Sequence, residues 1–302
     1  MSDTKLLTLQ GLPMLYHYTS LDGLLGIVNG NSVWASHCKY LNDSLEYIHA
    51  LEFPVSLSNN IYMDDDYLSP FGFSIRKALD EMVHNNVYVS SFSEKPDLLS
   101  QWRGYCPPGR GVCIGFKRDV LEKYCHENEL NLYKCVYSEV EQRQKMKKLI
   151  DQCEVEFPMP TVTRAEYDKF ESKDRVNHEI DYHQYVIKGA GKNQADKALS
   201  NLCNSIAKLA PLFKDSGFHE ESEWRIIAEN PTSDIQFRSG ISHLIPYITL
   251  PILSFSKDAI GEVIIGPNAS SHSCISSVSM LLESNGLKDV NVRRSKIPFK
   301  SW

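Results

Sequence analysis

Along the first half of the chain, short runs of apolar or alternating residues are spaced by stretches of helical period. Met14–Thr19 reads as a strand. Leu21–Val28 follows as a short helix, with Ser20 placed to cap its start and Gly30 just past its end. Ser32–Ser36 is a second strand candidate, and Asp43 stands three residues before Glu46, the spacing of a capped helix start. Tyr62–Asp66 is polar and reads as a loop, and Phe71–His84 reads as a helix. Val87–Ser93 is rich in β-branched and aromatic residues and alternates, so a strand is predicted there. Leu98–Trp102 reads as a helical turn, ended by the two prolines and two glycines within Cys106–Gly111. Val112–Phe116 has the apolar run of a buried strand, Arg118–Glu127 a helical period, and Tyr133–Tyr137 a strand pattern.

The texture then changes. From about Glu139 to Phe213 the chain is charged and poor in strand signals, and it predicts three helices, Val140–Glu156, Arg164–Ile187 and Gln194–Lys214. Turns at Pro158–Pro160 and Gly189–Gly191 separate them. Strands return at Glu223–Ala228, Ile245–Leu250 and Glu262–Ile265, then a helix over Ser271–Ser284 and a closing strand at Asn291–Arg294. The expected fold class is α+β: one mixed domain over residues 1–302 with a helical insertion at 139–213, the strands of both chain ends sharing one sheet.

Composition narrows the function classes. With 302 residues the chain suits one large domain or two small ones, and 42% hydrophobic against 23% charged residues excludes disorder as its main state. A net charge of −6 does not suit a protein that coats nucleic acid, although a local basic patch stays open. No apolar run approaches the ~20 residues of a membrane span. The opening MSDTKLLTLQGLP lacks the basic start and apolar run of a signal peptide, so a cytoplasmic location and no membrane partner are expected. None of the eight cysteines forms a C-x-x-C pair; they read as small buried hydrophobes rather than zinc or redox ligands.

Four clusters carry candidate chemistry. In the first strand, His17 and Thr19 share one face and Tyr16 and Tyr18 the other; the His–Thr face offers groups suited to ribose hydroxyls or phosphate. Ser91 and Ser93 put two hydroxyls on one face at a strand end, with Phe92 opposite, and no G-x-S-x-G elbow marks either as a nucleophile. Trp102, Arg103 and Tyr105, with Arg110 beyond, combine aromatic faces for stacking with guanidinium groups for phosphate. The glycines nearby form neither a P-loop nor G-x-G-x-x-G. Finally, Glu221 and Glu223 lie two apart where a loop runs into a strand; clustered carboxylates need compensation and mark a candidate active site.

In order, YHYTS, YLND, VSSFSE, QWRGY, GVCIGF, EWRI, IIGP and SKIPF resemble the bacterial domain-of-unknown-function family 2971, over about Leu15 to Phe299. The chain is also similar to ADP-ribosyltransferases in three places. His17 corresponds to the first-strand position, Ser91-Phe92-Ser93 to the middle run, and Glu221-Ser222-Glu223 to the later Glu-x-Glu. The histidine is the mark of one class of these enzymes and the serine run of the other. This resemblance implies a split, mostly antiparallel sheet and NAD as substrate. It implies that Glu223 stabilises the oxocarbenium-like state at the ribose, as carboxylates do in glycoside cleavage, and that Glu221 orients the acceptor. His17 would hold a ribose hydroxyl and Ser91 and Ser93 would brace the glutamate, with Thr19 and Arg103 also at the ligand. From side-chain type alone, Trp102 or Tyr105 would stack on nicotinamide.

The expected function is therefore an NAD-dependent transferase or glycohydrolase, in the manner of a bacterial toxin or phage-defence effector. Its acceptor would be a protein or nucleic acid, and a regulatory partner could bind the helical insertion. Two alternatives stand beside it. One is a metal-dependent phosphodiesterase or nuclease using His17, Asp43, Glu221 and Glu223. The other is a catalytically silent module in which the same clusters bind a nucleotide or stitch the fold.

Overall fold

The structure, a computed structural model, describes residues 14–41, 44–82, 86–229, 231–240, 242–267 and 271–298. The expected cap at Asp43 lies outside them. The chain divides into two compact units, one of Met1–Tyr40, Tyr88–Cys135 and Gly217–Trp302, the other of Leu41–Val87 and Val136–Ser216.

The first unit is built on a sheet. Its strands are β1 (Met14–Ser20), β2 (Val33–His37), β3 (Val87–Ser93), β4 (Gly111–Lys117), β5 (Asn131–Lys134), β6 (Glu223–Glu229), β7 (Gln236–Ser239), β8 (Leu244–Leu250), β9 (Ile260–Ile265) and β10 (Asn291–Arg294). They form an open ten-stranded sheet in the order β10-β9-β4-β1-β3-β2-β8-β7, with β6 paired to β3 and β5 to β6. The pairs flanking β1, β2 and β4 are antiparallel, as are β5/β6 and β7/β8, whereas β9 and β10 run parallel. β3 has three partners, β1, β2 and β6. A strand has only two edges, so two of these must share one edge end to end, and the sheet divides at β3.

The period-two patterns explain why these strands stay in register. Leu15, Val112, Ile114, Phe116, Val263 and Ile265 enter the main core with Phe92 and Ile226. Their neighbours Tyr16, Tyr18, Cys113 and Ile264 enter a second cluster with Trp102 and Cys106. Both faces at the sheet centre are thus covered, and β4 is buried from Gly111 to Phe116. Ser20 Oγ accepts the Gly23 N–H at 3.0 Å, so the helix after β1 starts where its cap predicts. That helix runs to Gly30 and ends on Asn31, which is left-handed at φ 50°, a conformation asparagine tolerates.

The second unit is helical: Ser44–Asp64, Ser69–Met82, Glu139–Glu156, Arg164–Tyr167, Ser172–Ile187 and Lys192–Leu209. It takes in residues before β3 as well as those between β5 and β6. Tyr62–Asp64, expected as loop, forms the last turn of the first helix, where the Asp64 side chain faces solvent. The single helix expected at Arg164–Ile187 is two. Thr163 and Glu166 form a capping box on the first, and the chain turns through Asp168–Glu171 before the second starts. No helix of the described residues is long and apolar enough to cross a membrane. None of the eight cysteines is in a disulfide, and burial pushes the thiols of Cys38 and Cys106 up to about 11 and about 12, as inert core groups require.

Candidate functional site

Four segments of the first unit converge on one small cavity of about 80 Å³. β1 contributes Tyr16, His17 and Tyr18, and β3 contributes Ser91, Phe92 and Ser93. The approach to β6 supplies Glu221 and Glu223, and the helix Leu99–Tyr105 supplies Gln101 and Tyr105. Of the residues singled out from sequence, His17, Ser91, Ser93, Tyr105, Glu221 and Glu223 meet here.

The segments are tied by hydrogen bonds that define their chemistry. His17 Nδ1 lies 2.9 Å from the Ser91 carbonyl oxygen. A carbonyl can only accept, so Nδ1 carries the proton. Burial lowers the His17 pKa from its ordinary 6.5, against the opposing pull of that hydrogen bond. The ring is therefore neutral near pH 7, and Nε2 is an acceptor. Ser93 Oγ donates to the Glu221 carbonyl at 2.6 Å and accepts the Lys95 N–H at 2.9 Å. Glu94 N–H donates to the Ser222 carbonyl at 3.1 Å. The end of β3 thus grips the Glu221–Glu223 turn through its backbone.

Glu221 and Glu223 share the cavity for a reason other than strand alternation. Glu221 ends a 3₁₀ turn, Ser216–Glu221, and Ser222 is left-handed at φ 45° before β6 begins. A non-glycine residue held there stores strain at the site. Ser222→Val is expected to cost about 1–3 kcal/mol, since a β-branched side chain fits this region worst. Ser222→Gly should stay within about 0.5 kcal/mol of the parent. Urea midpoints ranking Val above Gly would overturn the assignment.

Glu223 is held on one side by Arg225, two residues along the same strand face. Nε and Nη2 of Arg225 lie 2.8 and 3.2 Å from the two carboxylate oxygens, and both side chains are buried. This fork supplies the compensating charge that a buried carboxylate needs.

The remaining expected residues stand elsewhere. Trp102 is a core anchor: its indole N–H donates to Asp97 at 2.7 Å and its ring meets Tyr18 edge-on at 4.9 Å. Gln101 and Tyr105, four apart, share the helix face that lines the cavity, and Trp102 is turned away from it. Thr19 lies against the next helix, where a Cβ at Gly23 would come 2.0 Å from Thr19 Oγ1, so a larger residue there would displace the Thr19 side chain. Arg103 is exposed and does not line the cavity. Gln101 and Arg225 were not singled out. The first was signalled by its i, i+4 relation to Tyr105, the second by its i, i+2 relation to Glu223.

The low His17 pKa has a consequence for stability. Between the native pKa and 6.5 the unfolded chain binds a proton that the native state does not. Stability from this group is complete above about pH 6.5 and falls as the pH drops, with a slope approaching 1.4 kcal/mol per pH unit, about one proton's worth. In denaturant titrations from pH 7.5 to 5, His17→Gln should reduce the slope. An unchanged slope would mean that His17 titrates normally in the fold.

Fold and site together define an α+β protein with a mostly antiparallel open sheet, whose strand ends gather a neutral histidine, hydroxyls and two buried carboxylates. Residues 101–226 match the family model described as Protein of unknown function (DUF2971). That stretch holds QWRGY, GVCIGF and EWRI, and with them Glu221 and Glu223, in keeping with the resemblance that these motifs carry. No curated protein and no solved structure matches the chain.

Proposed function

We propose that the protein is an ADP-ribosyltransferase-like enzyme that takes NAD as substrate and cleaves its nicotinamide–ribose bond. The observation that supports this reading is the convergence of His17, Ser91, Ser93, Glu221 and Glu223, from three distant segments, on one cavity. In the reaction the glycosidic C–N bond breaks and nicotinamide leaves with the electron pair. C1′ passes through an oxocarbenium-like state, and an acceptor nucleophile or water completes the transfer. Glu223 would accept the ribose 2′-hydroxyl proton in a hydrogen bond and offset the developing positive charge. Arg225 is the positioning residue that fixes the carboxylate. Nε2 of His17 would accept a hydrogen bond from a ribose hydroxyl, and Glu221 would orient the acceptor.

At about 80 Å³ the cavity is far below the ~300–1,000 Å³ usual for small-molecule sites, so this reading requires it to widen. Tyr105, 37% exposed, is the side chain whose rotation would open it. The small cavity and the Arg225 fork also favour a second reading, a catalytically silent module in which these polar groups stitch the fold. The metal-dependent reading has no comparable support: among the described residues no group of three or more His, Cys, Asp or Glu is placed to hold an ion, and Asp43 is not among them. Incubation with NAD, with and without cell lysate as a source of acceptor, should release nicotinamide detectable by mass spectrometry. No release under either condition leaves the silent module.

A further inference from the structure

Apart from this cavity, the helical unit carries a larger groove of about 410 Å³, within the range of ligand-binding pockets. One face of the helix Ser172–Ile187 lines it at Asp174, His178, Asp181, Tyr182 and Tyr185, the spacing of a single helical stripe, with Phe170 beside them. Its floor is buried and aromatic: His178 stacks parallel on Tyr67 at 5.4 Å and meets Tyr167 at 4.9 Å. His178 is 6% exposed, and among the described residues its Nε2 has no hydrogen-bond partner. A buried polar atom without a partner is uncommon in folded proteins.

The rim is acidic. Asp174 and Asp181 are exposed, neither side chain makes a hydrogen bond or ion pair among the described residues, and no Lys or Arg lines the groove. On its other sides the same aromatic cluster already holds guanidinium groups, Arg164 over Tyr67 at 4.5 Å and Arg175 over Tyr167 at 5.2 Å. Seven residues separate the two aspartates along the helix, which is about 10.5 Å of rise.

We propose that this groove binds a linear aliphatic polyamine. Asp174 and Asp181 would take two of its ammonium groups, and His178 Nε2 an N–H between them. The walls of Tyr182, Tyr185 and Phe170 would cover its methylenes and meet its charge by cation–π attraction. The test is calorimetric titration of the whole protein with spermidine at fixed ionic strength. Saturable binding is expected, at least tenfold weaker in Asp174→Asn/Asp181→Asn, whose exposed positions leave the fold unchanged. It should also be at least fivefold weaker in His178→Gln, with the melting temperature checking that this variant is folded. If His178→Gln does not fold, the aspartate variant alone decides. Putrescine, too short to reach both carboxylates, should bind more weakly. Affinity unchanged in the aspartate variant, or displacement of spermidine by Mg²⁺ at equal charge, would overturn the proposal.

Discussion

Arg225→Ala is expected to destabilise the protein by about 3–5 kcal/mol, the range for removing one member of a buried ion pair. Glu223 and Arg225 are both almost fully buried, with both carboxylate oxygens within 3.2 Å of the guanidinium. Truncating the arginine leaves a carboxylate in a poorly solvated site without its fork. The magnitude follows from the buried charge that loses this fork rather than from the net worth of the pair, because desolvating two ions offsets much of their attraction. The distinction can be measured. Glu223→Leu should cost about as much as Arg225→Ala, since it takes the carboxylate from the buried opposite charge, whereas Glu223→Leu/Arg225→Met should recover a large part of the loss. Urea denaturation of the four proteins gives the cycle. A cost below about 1 kcal/mol for Arg225→Ala would mean that water reaches the pair and that the fork does not hold Glu223, since exposed pairs contribute no more than that.

The parts of the fold that were legible are those where burial leaves a mark. β4 stands out because its residues are buried on both faces, which favours apolar side chains in nearly every position, and β3 because β-branched and aromatic residues mark its buried start at Val87–Val89. β7 left no signal: Gln236–Ser239 is an exposed edge strand with no buried face to impose alternation. The break between Arg164–Tyr167 and Ser172–Ile187 involves neither glycine nor proline. It goes with the packing of Tyr167 and Phe170 around His178, which no local pattern announces. The same contrast holds at the site. His17, Ser91, Ser93 and Glu223 are strand residues, whose two-residue period assigns a face to each. Trp102 was read as a stacking group because its side chain suits that role, but it lies on a helix, where its neighbours Gln101 and Tyr105 take the cavity face instead. Glu221 reached the cavity although alternation does not apply before Ser222; the left-handed turn there brings it in.

Replacing Glu223 by glutamine is expected to lower nicotinamide release from NAD by a factor on the order of 10²–10³, as loss of one electrostatic contact to a developing charge does in other enzymes. Glutamine keeps the shape and one acceptor oxygen but removes the negative charge, and charge is what the oxocarbenium-like state would draw on. The variant also removes the negative charge that faces the Arg225 fork, so a slow enzyme could simply be a poorly folded one. The double variant Glu223→Gln/Arg225→Met separates the two causes. It removes the guanidinium that faces the neutralised side chain and should be more stable than Glu223→Gln alone, while staying as inactive, because the Glu223 carboxylate is what offsets the charge at C1′. Activity that returns together with stability would show that Glu223 acts through the fold. In that case the His17–Glu221–Glu223 cluster would be structural, and the silent module would be the better account of the site.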